Sequence, residues 1–489
     1  MTAFVEPAES ILARLAELRA ADAPTHGGHV LSYVYDSGLA ELDELAAAAV
    51  RAVQPVNGLD PTTFTSVAVL EREVVDFVRN LLHGDSDTVG VVTTGGTESC
   101  LLAVKTARDG WLATRGLEPG NARPRLVAPI TAHAAFQKAA HYFGLELDLV
   151  PVGDDGIVAS AAIADRLADD VALVVVSAPS YPFAALDPVD EVATFCAERG
   201  IPLHVDACIG GLVLPFWPGL ASWDFAVPGV TSMSADLHKF GYAPKGASVL
   251  LQRDRDRQRL QYFATTRWPG YPVVNSTLLG SKSAGPLAAA WAITRALGTA
   301  GFADLAASCL RSTRALRVAI DEIEGLHVVG DAVGPLIAVA ADPAASAESQ
   351  VDPHHWADAV RGAGFVLQLQ PAVQQPDGTM LPSTTHLTIT PVTERVLPEL
   401  LPTLVAAADA VRGIPHVDAG PLLGALPPLT DVPDSATAWA LLQGIGLGGG
   451  DGSLPAQQAP LLAMIEALPA PIAERLLTEL LARLIEPVG

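Results

Sequence analysis

Three residue types that are awkward to bury stand at the ends of apolar runs: Lys239 in SMSADLHKFGYAPKG, Asp206 in IPLHVDACIGG and His133 in TAHAAFQKAAHYFG. A buried ammonium must be paired or give up its proton, and a buried carboxylate needs a cation or a strong donor. A fourth element, TTGGTESCLLAVKTARDGW, sets Gly95 and Gly96 ahead of Thr97, Glu98 and Ser99 at a helix start. Unpaired N–H groups and the helix dipole favour an anion there. Taken singly, each has an ordinary alternative. The glycine turn reads as a plain helix cap, His133 as a structural ring and Asp206 as a turn aspartate.

The order in which they occur changes that balance. Lys239 comes 33 residues after Asp206, about one strand–helix–strand passage, so the two can meet at neighbouring strand ends. A lysine able to bond to an aldehyde, an aspartate for a pyridinium nitrogen, a ring to stack and a cradle for a phosphate form one set. It is the set that pyridoxal 5'-phosphate requires. The glycine turn is not a P-loop, because no Gly-Lys-Ser/Thr follows it. GIGLGG at 444–449 matches a dinucleotide fingerprint only formally, since it follows a helical run and no βαβ unit comes after it. PHHW at 353–356 has adjacent histidines that cannot face one ion from a helix, and Cys100, Cys196, Cys208 and Cys309 form no CxxC pair. No metal is expected, and the spaced cysteines suggest reduced thiols in a cytoplasm.

The elements that must position these residues alternate. Short apolar runs at 90–94, 126–130, 146–152, 171–179, 202–208, 231–236 and 247–252 are separated by helical patterns. Most are nearly continuous in apolar character, which predicts strands covered on both faces. The fold class is therefore α/β, with a mostly parallel central sheet and its chemistry beyond the carboxyl ends of the strands. A helix precedes the first strand, with Val74, Val75, Val78, Leu81 and Leu82 on one face. Residues 1–55 read as an N-terminal helical segment, 56–285 as the large cofactor-binding unit and 286–489 as a smaller C-terminal α/β domain. Strands are expected in the last of these near PLIAVAA and HLTITP. Its Pro/Gly-rich extension from 420 ends in an amphipathic helix, PIAERLLTELLARLIEP.

The net charge of −24, from 30 basic and 54 acidic residues, argues against nucleic acid and anionic lipid as partners. No apolar run reaches 18 residues, and the N-terminus lacks the basic n-region of a signal peptide.

HVDACIGG and SADLHKFGYAPKG, with GGTES, HAAFQKAAHYFG and DPVDEVATFCAERGIPLHVDAC, resemble the sphingosine-1-phosphate lyase family within the fold-type I, decarboxylase-like pyridoxal enzymes. The resemblance covers most of the chain. It implies the fold-type I transferase architecture and a homodimer. It also implies that Lys239 bonds to the cofactor, Asp206 keeps the ring nitrogen protonated and His133 stacks on the ring. Gly96, Thr97 and His238 would meet the phosphate beside Gly95. LLGSKSAG looks like the segment that reaches the phosphate from the other subunit, which implicates Gly280 and Ser281. Lys282 stands where the family usually has arginine, so the charge is kept and a bidentate contact is weakened.

The implied reaction cleaves the Cα–Cβ bond of an amino alcohol and releases an aldehyde, with Lys239 as a candidate for proton transfer and Tyr181 as a weaker one. Tyr35 and Lys245 match the family's substrate-phosphate residues. The family's Asn-x-Leu-His-Pro, however, reads NGLDP, so Asp60 replaces a histidine beside Asn57. A carboxylate facing a phosphate dianion is repelled by about a kcal/mol or more at an effective dielectric of roughly 20. Altered substrate choice is the expected consequence. An amino-acid decarboxylase on the same scaffold is the alternative, and a cofactor-binding protein without turnover is a third reading.

Overall fold

The computed structural model describes residues 4–424, 431–447 and 457–487. Seven strands form the central sheet: β1 (Val89–Thr93), β2 (Arg125–Pro129), β3 (Glu146–Val150), β4 (Val171–Ser177), β5 (Leu203–Asp206), β6 (Ser232–Ala235) and β7 (Ser248–Gln252). All seven fall within or beside the expected apolar runs. Their order is β1-β7-β6-β5-β4-β2-β3, and only β7 runs antiparallel to its neighbours. Because β7 opposes both β1 and β6, those two strands point the same way as β5 and β2. The ends of β1, β2, β5 and β6 therefore share one edge, where Gly95, His133, Asp206 and Lys239 follow.

Continuous apolar character arises because both faces are covered. On β4, Val174 and Val176 enter one core while Ala172, Leu173 and Val175 enter another. Alternate side chains point to opposite faces, so only an unbroken apolar run satisfies both layers. Helices Gly96–Ala113 and Ala134–Phe143 close the second face with Leu101, Val104, Phe136 and Ala139. The helix Thr65–Leu81 packs Val67, Val74 and Val78 into the first core, with Leu82 just beyond its end. A long helical run, Gly285–Asp321, is broken at Gly298, whose φ of 53° is left-handed.

A smaller four-stranded antiparallel sheet follows, in the order Leu326–Val328, Leu336–Ala341, Thr384–Thr388, Gln368–Gln370. The two expected strands are its central pair. The outer two have three residues each, too few for a periodic signal. Helices Pro353–Gly362 and Thr393–Val411 pack together beside it, and Trp356, fully buried, donates its Nε1–H to Leu404 O at 2.9 Å. PHHW begins the first of these helices, capped by Asp352, with His354 buried rather than solvated. In GIGLGG, Gly444 ends a helix, and residues 448 and 449 lie outside the described residues.

Helices Ser435–Gly444, Ala459–Ala467 and Ala470–Leu484 build a separate small core from Leu441, Leu442, Met464, Ile472 and Leu476. They dock on the smaller sheet through charged caps. Asp358 accepts from Gln458 N and Ala459 N, and Glu466 accepts from Ala372 N, next to the strand Gln368–Gln370. His416 lies between Asp352, at 2.7 Å, and Glu466, at 3.0 Å. Burial opposes a charged ring, but the two carboxylates outweigh it and raise the His416 pKa. A raised folded-state pKa gives stabilisation that is complete below the unfolded value of about 6.5 and is lost as pH rises through the folded value. Protection of the amides in 459–467, after the intrinsic pH dependence of exchange is divided out, is therefore expected to fall as pH rises past neutral. In His416→Ala that protection should be low throughout, and a native-like fall with pH in that variant would refute the coupling.

Candidate active site

At the shared strand edge lies a cavity of about 530 Å³, lined by Lys239, Asp206, His133, His238, Tyr35 and the Gly95–Thr97 turn, among others. Each polar group is held by its own local geometry. Asp206, at the last position of β5, is 7% exposed; its Oδ1 accepts from Cys208 N at 3.0 Å and from Ser234 Oγ at 3.3 Å. Among the described residues its Oδ2 takes no hydrogen bond. That leaves a buried carboxylate oxygen free for a cationic donor in the cavity.

His133 has both the ordinary role and the exposed position. It caps the helix Ala134–Phe143, with Nδ1 accepting from Ala135 N at 3.1 Å, while its ring lines the cavity. Burial lowers its pKa against the pull of Asp206, so the ring is neutral and suited to stacking. His238 Nδ1 accepts from Gly246 N at 3.1 Å and Ala247 N at 3.3 Å, which leaves Nε2 as the protonated nitrogen.

The two glycines make room for side chains of the chain itself. A Cβ on Gly95 would sit 3.0 Å from the His238 ring; one on Gly96 would lie 2.6 Å from Asp236 Oδ2 and 2.8 Å from Cys208 Sγ. The helix start can then lie directly against the residues around Lys239, with its first N–H groups at the cavity wall. Glu98 locks this turn. Its Oε2 accepts from Thr94 N at 2.6 Å and Thr94 Oγ1 at 2.7 Å, and its Oε1 from Leu278 N at 2.7 Å.

Lys239 Nζ lies 3.0 Å from Asp236 Oδ2. Burial opposes its charge, but Asp236 holds its pKa well above the usual lysine value. Lys245 stands behind Tyr35, with Nζ 4.6 Å from that ring's centroid and donating to His238 O at 3.0 Å. Burial, then the neighbouring Lys239, brings its pKa down to about 8. Tyr181 stacks on His386 at 4.1 Å, and burial keeps its phenol protonated.

Four of the singled-out residues lie apart from this cavity in the same chain. Asn57, Asp60, Gly280 and Ser281 gather at a second, larger cleft. Asn57 Nδ2 donates to Ser281 Oγ at 3.1 Å, and Gly58 N to Lys282 O at 2.8 Å, which fastens the two segments together. Asp60 is occupied locally: its carboxylate takes the Thr62 and Thr63 hydroxyls at 2.6 and 2.7 Å, which hold its pKa at about 2. Lys282 reaches Val92 O and Thr277 Oγ1, each at 3.4 Å.

The sequence marks Glu98 only as a residue of the helix start and Cys100 and Cys208 only as unpaired thiols, and it gives Asp236 no role. Asp236 stood three residues before Lys239 in the quoted motif, close enough for a turn to join them. Cys100, Asp206 and Cys208 bring ligand atoms within 4.8 Å of one another beneath the cavity. The hydrogen bond between the two thiols and their burial hold the pKa of Cys208 well up, and burial raises that of Cys100 against the same hydrogen bond.

The residues present fit a pyridoxal phosphate: a reactive amine, an unfilled buried carboxylate oxygen, a neutral ring and a helix start converge on one cavity. A mostly parallel sheet carrying these groups at its carboxyl edge defines a fold-type I pyridoxal-phosphate enzyme. The pyridoxal-dependent decarboxylase conserved domain matches residues 35–341, and the chain belongs to that family, with pyridoxal phosphate as its cofactor. A second profile, for a C-terminal domain of pyridoxal-dependent enzymes, matches residues 419–483.

Sphingosine-1-phosphate lyase 1 of Rattus norvegicus is 37% identical over 326 residues, 66% of this chain and 56% of that protein. The chain thus spans between about half and two thirds of the length of the curated lyases it matches. A probable L-tyrosine/L-aspartate decarboxylase of Methanocella arvoryzae is 31% identical over 344 residues, 68% of this chain and 85% of that protein. Among solved structures, a sphingosine-1-phosphate lyase of Burkholderia pseudomallei aligns with a TM-score of 0.76 at 31% identity, covering 84% of this chain and 93% of that one. A glutamate decarboxylase of Lactobacillus brevis, at 19% identity and a TM-score of 0.73, shares the fold.

Proposed function

We propose that the protein is a pyridoxal-phosphate-dependent carbon–carbon lyase that cleaves the Cα–Cβ bond of an amino alcohol and releases an aldehyde. The observation that carries this reading is the cofactor set at one cavity in a chain 37% identical to a sphingosine-1-phosphate lyase over 66% of its length. The cavity wall facing the small sheet is neutral, with Gln368, Leu369, Gln370, Pro371 and Tyr181, and Lys245 behind Tyr35 is a further cation beside Lys239. The lyases matched at 33–38% identity support the same choice over the decarboxylase at 31%.

When bound, pyridoxal phosphate supplies an electron sink for the bond broken at the amine-bearing carbon. Lys239 would hold it through its amine nitrogen, with Asp206 at the ring nitrogen, His133 stacked on the ring and Gly96, Thr97 and His238 toward the phosphate. Tyr35 and Lys245 would receive the polar head of the substrate. Tyr181, its phenol kept protonated, would orient the substrate hydroxyl. The proton of that hydroxyl leaves as the aldehyde forms, one proton is returned to the amine-bearing carbon, and Lys239 Nζ is the group suited to move it.

The working form in this reading is a homodimer in the cytoplasm. Gly280 and Ser281 lie on the second cleft, beside a hairpin that exposes Phe263, Trp268 and Tyr271. A second subunit packed there would cover that apolar surface and bring Gly280 and Ser281 to its own cavity. All four cysteines are free and buried, as a reducing compartment requires, and no described helix is long and apolar enough to cross a membrane.

The test is product analysis of the cofactor-loaded protein with phosphoethanolamine, a sphingoid-base phosphate, their unphosphorylated counterparts and a panel of amino acids. Aldehyde from an amino alcohol, phosphorylated or not, is the expected result. Carbon dioxide from an amino acid without aldehyde would transfer the protein to the decarboxylases. Preference for the unphosphorylated compounds would tie Asp60 to substrate choice.

A further inference from the structure

One buried charge has no part in the scheme above. Asp236 is 1% exposed, at the end of β6, in the turn that carries Lys239. Its Oδ2 lies 3.0 Å from Lys239 Nζ and 3.4 Å from His238 Nε2. Apart from these two contacts, neither carboxylate oxygen takes a hydrogen bond among the described residues. The nearby Ser248 hydroxyl is turned to Ala235 O, at 3.2 Å, and to Ser99. Gly96 leaves no space for a Cβ over the carboxylate, so the helix start seals it from above. Asp236 is therefore a sealed anion whose closest cation is the amine that must bond to the cofactor.

We propose that Asp236 is the counter-charge that receives the Lys239 amine as an ammonium ion whenever that amine is not bonded to the cofactor, and that it thereby sets how readily Lys239 is exchanged for a substrate amine. The proposal rests on Lys239 being the cofactor-bonding residue. Its physical basis is differential: with Lys239 free, the two buried charges neutralise each other. With the lysine nitrogen bonded to the cofactor, its charge is lost or shared with that group, so Asp236 is left with a weaker partner beside the His238 ring, and a buried charge short of its partner is costly. Asp236 thus favours release of Lys239 and opposes its capture. Asp206, Cys208, Tyr35, Lys245 and His133 also surround Lys239, but among the described carboxylates only Asp236 makes an ion pair with it. Asp236 is a positioning residue in this role, distinct from Asp206.

The experiment follows uptake of pyridoxal phosphate by the cofactor-free, full-length protein, read as growth of the visible band of the lysine-bound cofactor, from about pH 6 to pH 9. Only the neutral amine adds to an aldehyde, so the native rate should rise about tenfold per pH unit. Asp236→Asn should take up cofactor at least about tenfold faster near neutral pH, with a flatter profile, because a buried amine without a counter-charge loses its proton more easily. Asp236→Glu should restore the slope. An Asp236→Asn profile parallel to the native one, whether faster or slower throughout, would mean a merely structural role and overturn the proposal.

Should that variant fail to fold, competitive acetylation of the native cofactor-free protein, read by mass spectrometry, decides instead. Lys239 is expected to reach half-modification at a higher pH than the surface residue Lys138, and an equal or lower pH would refute the pairing. Failure of the underlying reading is seen separately, as a lysine-bound band that persists in Lys239→Ala.

Discussion

Lys239→Ala, purified with excess pyridoxal phosphate, is expected to lack the visible band of the lysine-bound cofactor and to lose measurable turnover. The remaining contacts can still hold the cofactor, because the helix start, His133 and Asp206 sit on other elements. Binding without the band is therefore the specific signature, seen as cofactor retained through gel filtration and released by denaturation. The substitution also strips Asp236 of its cation, leaving a carboxylate 1% exposed whose remaining close neighbour among the described residues is the His238 ring, at 3.4 Å. Removing one partner of a buried pair typically costs about 3–5 kcal/mol. A lowered melting temperature should accompany the lost band, and Lys239→Ala/Asp236→Asn should recover part of it. A band that survives in Lys239→Ala would remove the basis of the functional reading.

Asp206→Asn is the second large effect. An asparagine oxygen can keep the Oδ1 contacts to Cys208 N and Ser234 Oγ, so the loop geometry should survive. What changes is the unfilled Oδ2, which becomes a neutral amide facing the ring nitrogen. Without an anion there, the protonated ring is less stable and the electron sink shallower. Loss of one preorganised electrostatic partner costs about 100-fold or more in rate. Turnover should fall by at least that much while the lysine-bound band remains, shifted in position. Native turnover in this variant would mean that Asp206 serves only as the turn aspartate its local hydrogen bonds already make it.

These two experiments separate groups that a single motif search would merge. Lys239 and Asp206 were both legible as residues out of place, since an unpaired lysine or aspartate at the end of an apolar strand calls for a partner. The central strands were legible for the same local reason: both faces of β4 are buried, so its apolar run is unbroken. His133 reads from the sequence as a histidine at a strand end, with a stacking role implied only by the resemblance, and the structure makes it both a helix cap and a cavity-lining ring. Asp236 offers only its three-residue spacing from Lys239, and an aspartate beside a histidine and a lysine is ordinary at an exposed turn until its burial is known.

Side-chain period and turn chemistry are properties of neighbouring residues, and they were enough to mark the strands, the helix start and the lysine that does not belong in a core. The lateral order of the strands is different, because it depends on which apolar faces pack best across the whole chain. The 33-residue spacing allows Asp206 and Lys239 to meet at neighbouring strand ends, and the observed order, with β5 beside β6, brings them to one cavity. It also sends Asn57, Asp60, Gly280 and Ser281 to a separate cleft and buries Asp236 against Gly96, at the amine it neutralises. Charges acquire partners from tertiary packing, and no spacing along the chain records which partner that will be.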